Sequence, residues 1–279
     1  MPTLTTAGSN PTELSYSDTQ GIGRPVVLIH GWPASQQSWQ AISAALQEAG
    51  HRVIVYDRRG FGDSGQPAEG YDYDTFAADL DDLLAALDLV DAVLVGFSMG
   101  GGEVARYVAN YGTARITGAV FVSAITPCLD ASLPDNPEGG FTPEAAAGMQ
   151  AGLRDDPEGF LTGFLTNFHS VPGDGEPRLM VPREQIWAAI EVAKKASLDA
   201  LVICIGLWLT DFRADLAAMS VPTLVIHGDG DQIVPFPVSG RRMPHFVPDA
   251  EVHVISGGPH GVLASHPDEV AAALLVFLA

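Results

Sequence analysis

The first half of the chain repeats one pattern, a short apolar run followed by a stretch with helical spacing. Runs rich in β-branched residues begin at Pro25, Arg52, Ala92 and Ile116, and they predict buried strands. Between them lie stretches whose apolar residues recur every three or four positions. The predicted helices are Ser38–Ala49, Tyr73–Leu89 and Gly101–Tyr111. This alternation is typical of a parallel sheet with helices on both faces, so we predict an α/β fold.

The pattern changes between residues 129 and 217. Helical stretches alone follow a Pro- and Gly-rich segment, until strands return at Pro222 and Glu251 and a last helix begins at Glu269. We therefore predict an α/β core, residues 1–128 and 218–279, interrupted by a helical cap, residues 129–217. We expect most apolar cap residues to pack the cap on the core and a few to line a pocket. These residues are Phe160, Phe164, Phe168, Trp187, Ile190, Leu201, Ile205 and Trp208.

Charge and composition exclude several classes of function. Fourteen basic residues stand against 34 acidic ones, for a formal net charge of −20. Such a chain is not suited to nucleic acid or to a polybasic contact with a membrane. Its two cysteines, Cys128 and Cys204, predict buried free thiols and not a disulfide framework. No leader pattern or membrane-spanning run is evident, so we expect a cytoplasmic protein; the oligomeric state, a homo-oligomer included, stays open.

The segment Gly96-Phe97-Ser98-Met99-Gly100 directly follows a predicted strand and opens a predicted helix. In that context the pattern G-x-S-x-G is typical of a sharp turn that presents a serine hydroxyl above the edge of a sheet. The two glycines relieve crowding at such a turn. We therefore predict that Ser98 is a nucleophile.

A serine hydroxyl is a weak nucleophile and needs a base. Asp231 and His260 follow two later strands, at the sheet edge where α/β proteins carry their sites. We expect His260 to take the Ser98 proton, and Asp231 to hold the imidazole tautomer and stabilise the imidazolium. Asp229 remains an alternative partner for His260; its other interpretation is a turn residue that binds backbone N–H groups.

Acyl transfer also requires donors for the oxyanion that develops on the substrate. The N–H of Met99 directly follows the nucleophile. The N–H of Trp32 lies in the loop after the first inner strand, where Pro33 has no N–H to offer. We predict these two groups as the oxyanion hole. The Trp32 side chain either walls the acyl pocket or packs in the core.

Other polar residues near these strands are expected to be structural. His30 and His227 end strands, and we expect each to bond to nearby backbone. The loop after the second inner strand resembles a charged substrate clamp, but its glycines favour a turn in which Arg59 pairs with Asp57 or Asp63. No spacing of His, Cys, Asp or Glu predicts a metal site, and no glycine-rich motif predicts a cofactor. We expect neither.

Four segments carry a resemblance to the α/β-hydrolases of the cofactor-free haloperoxidase, perhydrolase and γ-lactamase type. They are Leu28–Pro33, Tyr56–Gly62, Gly70–Ala77 and Gly96–Tyr107. The resemblance covers the chain from about Thr12 onward and is least specific in the cap. It implies the α/β-hydrolase fold, with a mostly parallel central sheet and a helical cap. It also implies the same triad and oxyanion donors, without a cofactor.

The expected activity is hydrolysis of small carboxylic esters through an acyl-enzyme on Ser98. The resemblance adds a side activity, in which peroxide attacks the acyl group and the released peracid oxidises halide. Trp32 followed by Pro33 resembles the arrangement in perhydrolases. An enantioselective γ-lactam amidohydrolase with the same triad is one alternative, and a non-catalytic binding protein is another. A substrate would thus be a small ester, carboxylic acid or lactam. Haloalkane dehalogenases and epoxide hydrolases need a carboxylate where this chain has serine.

Overall fold

The central feature of the computed structural model, which describes residues 1–8 and 10–279, is an eight-stranded sheet. Its strands are β1 (Thr3–Thr5), β2 (Glu13–Asp18), β3 (Pro25–Ile29), β4 (Arg52–Tyr56), β5 (Ala92–Phe97), β6 (Ile116–Val122), β9 (Thr223–Gly228) and β10 (Glu251–Ile255), while β7 (Ser170–Val171) and β8 (Arg178–Leu179) form a separate pair. The strand order is β1-β2-β4-β3-β5-β6-β9-β10, and in this order all neighbours from β4 onward pair in parallel. All six residues of β5 are buried, as expected of a parallel strand covered on both faces. The predicted α/β architecture is confirmed.

The helices that contact one another along the sheet form two groups, and several helices lie in the segment between β6 and β9. The helices are α1 (Gln40–Glu48), α2 (Tyr73–Ala86), α3 (Met99–Tyr111), α4 (Pro143–Asp155), α5 (Pro157–Phe168), α6 (Arg183–Ala193), α7 (Leu198–Leu207), α8 (Arg213–Leu216), α9 (Met243–Phe246), α10 (Val262–Ser265) and α11 (Pro267–Leu278). One group contains α1, α10 and α11, and the other contains α2, α3 and α8. In the part of the chain that the structure describes, none of the helices has the length and apolar character that crossing a membrane requires.

Two strands at the sheet edge are additional to the predicted set. β2 pairs antiparallel with β4, and β1 pairs antiparallel with β2. In β2, Leu14 is buried and Tyr16 packs against the core, with the polar Ser15 between them. That alternation is a signal for a strand, but it is short and weaker than the continuous apolar runs of the inner strands.

The segment between β6 and β9 adds no strand to the central sheet over its described length. It contains α4 to α8 and the short antiparallel pair of β7 and β8. Within it α4 contacts α7, and α5 contacts both α4 and α6. Seven of the eight apolar residues singled out here are buried or pack against the core, but Trp187 is 60% exposed. Most of these residues therefore pack as expected, and Trp187 is the exception.

The loop after β4 is a buried structural turn, but its ion pair differs from the expected one. Arg59 forms two hydrogen bonds of 2.6 Å with Asp79 of α2, not with Asp57 or Asp63. Asp57 instead accepts the backbone N–H groups of Gln36 and Asp63. The sequence of the loop does not indicate this partner, because Asp79 lies 20 positions away on a helix that packs against the loop.

Candidate active site

Ser98 stands at a sharp turn between β5 and α3. Its φ of 54° lies in the left-handed region, which non-glycine residues rarely adopt and which is associated with functional strain. Although Ser98 occupies the N-cap position of α3, its side chain makes no capping hydrogen bond. A Cβ at Gly96 would lie 2.4 Å from the carbonyl oxygen of Gly100, so only glycine permits this turn. The hydroxyl is thus left for a partner outside the helix.

That partner is His260, from the loop after β10. Its Nε2 lies 2.9 Å from Ser98 Oγ, and its Nδ1 lies 2.7 Å from Oδ2 of Asp231, which follows β9. Because a carboxylate only accepts, Nδ1 carries the hydrogen and Nε2 is free to accept the serine O–H. The structure therefore brings the three predicted residues into one hydrogen-bonded chain, with distances suited to proton transfer.

Asp231 is held as a carboxylate by several donors. Oδ1 accepts the backbone N–H groups of Ile233 and Val234, each at 2.8 Å. Burial would raise the pKa of Asp231, but the positive charge available at His260 and a contact with His227 outweigh it, and the pKa falls to about 2. The alternative partner, Asp229, lies elsewhere: its Oδ1 accepts the backbone N–H of Gly257 at 2.5 Å.

Aromatic rings shield His260 from water, a feature that the sequence did not indicate. The ring centroids of Phe97 and Phe168 lie 5.3 Å and 4.7 Å from the centroid of the imidazole. His260 itself is 1% exposed. Next to Phe168, the buried His169 donates from Nδ1 to Leu165 O, and burial lowers its pKa. Exclusion of water strengthens the electrostatic interactions of the site.

The predicted oxyanion donors lie beside Ser98. A Cβ at Gly31 would stand 2.8 Å from the Cβ of Ser98, so the loop after β3 touches the nucleophile only because this residue is glycine. The backbone N–H groups of Trp32 and Met99 donate to no other group in the described residues. These two N–H groups near the nucleophile are the candidate donors to the oxyanion of a tetrahedral intermediate.

A buried network supports this loop from behind. His30 Nδ1 lies 2.8 Å from the carbonyl oxygen of Gly31, and His30 Nε2 accepts the backbone N–H of Arg58 at 3.0 Å. The guanidinium of Arg58 pairs with Glu103 at 2.7 Å, and both side chains are buried. Burial and then the charge of Arg58 lower the pKa of His30 to about 3, so the ring is neutral. The carbonyl of the Gly31–Trp32 peptide is thus fixed, and with it the N–H of Trp32.

The Trp32 side chain joins the loop to the helical segment above the site. Its Nε1–H donates to Leu201 O of α7 at 3.0 Å. Its ring packs edge-on against Phe164 and Trp208, at centroid distances of 4.8 Å and 5.1 Å. The Trp32 side chain is 1% exposed, so the structure shows the packing role, which is one of its two expected roles. Its role as a wall of the acyl pocket stays a prediction.

A cavity of about 720 Å³ borders the site. Residues of α1, α5, α6 and α10 line it, together with Phe97 and Gly261, which are chain neighbours of Ser98 and His260, but Ser98 and His260 themselves do not. Across residues 1–8 and 10–279, no group of three or more His, Cys, Asp or Glu is arranged to hold a metal ion.

Comparisons with known proteins identify the family of the chain. A profile of the family described as alpha/beta hydrolase fold matches residues 24–267. A non-heme chloroperoxidase of Kitasatospora aureofaciens is 41% identical over 94% of this chain and 93% of its own length. A bifunctional esterase/perhydrolase of Acinetobacter calcoaceticus is 32% identical, covering 95% of this chain and 96% of that protein. The crystal structure of a bromoperoxidase from Bacillus anthracis superposes with a TM-score of 0.93 and 45% identity, over 99% of both chains.

Proposed function

Because the chain belongs to the α/β-hydrolase family, among its non-heme haloperoxidases, we propose that it cleaves small carboxylic esters through an acyl-enzyme on Ser98. It is a serine hydrolase, and its relative in Acinetobacter calcoaceticus is named an esterase and perhydrolase. The observation that carries the proposal is the hydrogen-bonded chain from Ser98 Oγ through His260 to Asp231, with distances of 2.9 Å and 2.7 Å. The relatives do not favour the γ-lactam alternative.

Acylation begins when Ser98 Oγ attacks the ester carbonyl carbon and passes its proton to His260 Nε2. The carbonyl oxygen becomes an oxyanion, and the N–H groups of Trp32 and Met99 donate to it. Asp231 stays ionised and stabilises the imidazolium of His260. The imidazolium then gives its Nε2 proton to the departing alkoxide, which leaves as an alcohol, and the acyl group remains on Ser98.

Deacylation repeats these steps with water or hydrogen peroxide as the nucleophile. His260 removes a proton from the incoming molecule, whose oxygen attacks the acyl carbon. The proton then returns to Ser98 Oγ as the acyl–oxygen bond breaks. Water releases a carboxylic acid and peroxide releases a peracid, so the same residues support the perhydrolase side activity.

Hydrolysis of a short-chain p-nitrophenyl ester by the wild type and by Ser98→Ala tests the proposal. We expect turnover in the wild type, and a loss of kcat of at least about a thousandfold in Ser98→Ala. A serine-directed phosphonate should add one adduct to the wild type and none to the variant. Peracid formation from a short carboxylic acid and hydrogen peroxide should be lost in parallel. A Ser98→Ala protein with wild-type turnover would refute the proposal.

A further inference from the structure

His227 lies on the other side of the Asp231 carboxylate from His260. Its side chain is buried in β9. Its Nε2–H donates to Val234 O at 2.8 Å, and the same nitrogen is 3.2 Å from Oδ2 of Asp231. Oδ2 is also the oxygen that accepts the Nδ1–H of His260 at 2.7 Å. One carboxylate oxygen therefore faces the N–H groups of two imidazoles.

The surroundings of His227 determine which ring nitrogen carries its hydrogen. Nε2 faces the carbonyl oxygen of Val234, which can only accept, so the hydrogen is on Nε2. Nδ1 is buried and finds no partner among residues 1–8 and 10–279. A Cβ on Gly240 would lie 2.7 Å from Nδ1, so there is little space on that side of the ring. A hydrogen on Nδ1 would lack an acceptor, and the ring presents a single N–H towards the Asp231 turn.

The same turn supplies the remaining donors of Asp231. Its Oδ1 accepts the N–H groups of Ile233 and Val234, and the carbonyl of Val234 is the acceptor of His227. His227 therefore holds the turn at one point and faces the carboxylate at another. We propose that His227 is a positioning residue for Asp231, which keeps Oδ2 directed at His260. This rests on the proposed function of Ser98, Asp231 and His260.

His227 matters for the reaction while His260 is an imidazolium. When His260 takes the serine proton, Asp231 has to remain charged and correctly oriented. The positive end of the His227 Nε2–H favours negative charge on Oδ2. Loss of this group would free the turn and weaken stabilisation of the imidazolium. His227 contacts Val234 and Asp231 and neither Ser98 nor the loop after β3, so we expect ester binding to be unaffected: kcat would change and KM would not.

Two amide substitutions separate hydrogen bonding from space filling. In His227→Gln the amide nitrogen reaches the place of Nε2, whereas in His227→Asn the same amide stops near the place of Nδ1. We expect His227→Gln to keep kcat within about threefold and His227→Asn to lower it about 10- to 100-fold, with KM within about twofold in both. The low-field proton resonance of the His260–Asp231 hydrogen bond should persist in the Gln variant and shift or vanish in the Asn variant.

Controls distinguish this inference from the function on which it rests. His253→Gln alters another strand histidine, which is exposed to solvent and pairs with Glu269, and should leave kcat unchanged. A wild type without esterase activity would contradict the proposed function itself. An active wild type, an inactive Ser98→Ala and equal kcat values in the two amide variants would overturn the role of His227 alone.

Unfolding temperatures of the amide variants distinguish a stabilising role of His227 from a positioning role. If kcat falls equally in both amide variants and follows their unfolding temperatures, His227 serves stability and not position. If His227→Asn does not fold, Gly240→Ala takes its place, because its methyl group would press on Nδ1. We then expect a lower kcat with unchanged KM. A Gly240→Ala protein with wild-type kcat and an unshifted low-field resonance would overturn the proposal.

Discussion

Two hydrogen bonds join Arg58 to His30, and in each of them the backbone of one residue meets the side chain of the other. The backbone N–H of Arg58 donates to His30 Nε2 at 3.0 Å, and the guanidinium of Arg58 donates to the carbonyl of His30, also at 3.0 Å. The pair joins the loop that carries Trp32 to the loop that follows β4. Both side chains are buried, and Arg58 also forms a buried ion pair with Glu103. The loop after β3 is therefore held in place by an ion pair that is shielded from solvent.

Removal of Glu103 should destabilise the protein strongly. Glu103→Leu leaves the buried guanidinium of Arg58 without its carboxylate, which typically costs about 3–5 kcal/mol of unfolding free energy. The matched control is Asp74→Ala, which breaks the exposed ion pair with Arg106 and should cost less than about 1 kcal/mol. Urea unfolding at pH 7 measures both. Equal losses in the two variants would contradict the prediction.

His30 should make stability depend on pH in the acid range. Its pKa is about 3 in the folded protein, against 6.5 for an unperturbed histidine, so between these values the unfolded chain binds a proton that the folded chain does not. The free energy of unfolding therefore falls as pH drops below about 6.5, and His30 accounts for up to about 1.4 kcal/mol of this loss per pH unit.

The slope of unfolding free energy against pH, from urea titrations between pH 7 and 5, tests this prediction. His30→Gln should have a shallower slope than the wild type, whatever its absolute stability. Ser98→Ala removes a buried hydroxyl but no imidazole, and it should keep the wild-type slope. An unchanged slope in His30→Gln would exclude His30 as the titrating group.

Asp231 and Asp229 offer a matched pair of substitutions in one loop. Asp231→Asn should lower kcat by up to about 10⁴-fold, because the amide favours the wrong imidazole tautomer. Asp229→Asn keeps an oxygen for the N–H of Gly257 and should change kcat less than about threefold, as its carboxylate does not touch His260. Ester hydrolysis at pH 7 decides between them. A larger loss in Asp229→Asn would restore the alternative assignment.

A methyl group at position 31 should impair catalysis more than folding. Gly31→Ala places a Cβ 2.8 Å from the Cβ of Ser98, which moves the N–H of Trp32 away from the oxyanion. We expect kcat to fall by about 10- to 1,000-fold, the range seen for loss of one oxyanion donor. Steady-state kinetics and phosphonate labelling measure the effect, and Gly148→Ala, where a Cβ meets no other atom within 4 Å, is the control. Wild-type kcat in Gly31→Ala would place the oxyanion elsewhere.

The sequence predicted the inner strands and the positions of the site residues for one physical reason. Buried parallel strands are continuous apolar runs, and β4 and β6 begin and end where those runs do. Ser98 and Asp231 follow two such runs, His260 follows the mostly exposed edge strand β10, and the parallel topology brings these strand ends to one edge.

Contacts between distant elements could not be predicted in the same way. The pairing of Arg59 with Asp79 depends on how α2 packs against the loop after β4. The ring of Phe168 meets His260 only because the end of α5 lies against the loop after β10, where the N–H of Gly261 donates to Phe168 O. These contacts arise from packing between elements, and local periodicity carries no information on it.

The bond from Trp32 Nε1–H to Leu201 O also bears on how such enzymes diversify. The acceptor is a backbone carbonyl, which every amino acid supplies, so this hydrogen bond does not depend on the chemistry of the side chain at position 201, which is itself buried. A recombinant that exchanges α7 for the equivalent helix of a relative keeps this link to the catalytic loop if the helix path is preserved. Side chains of α7 can thus diverge, where packing allows, while the loop after β3 keeps its hydrogen bond to the helix.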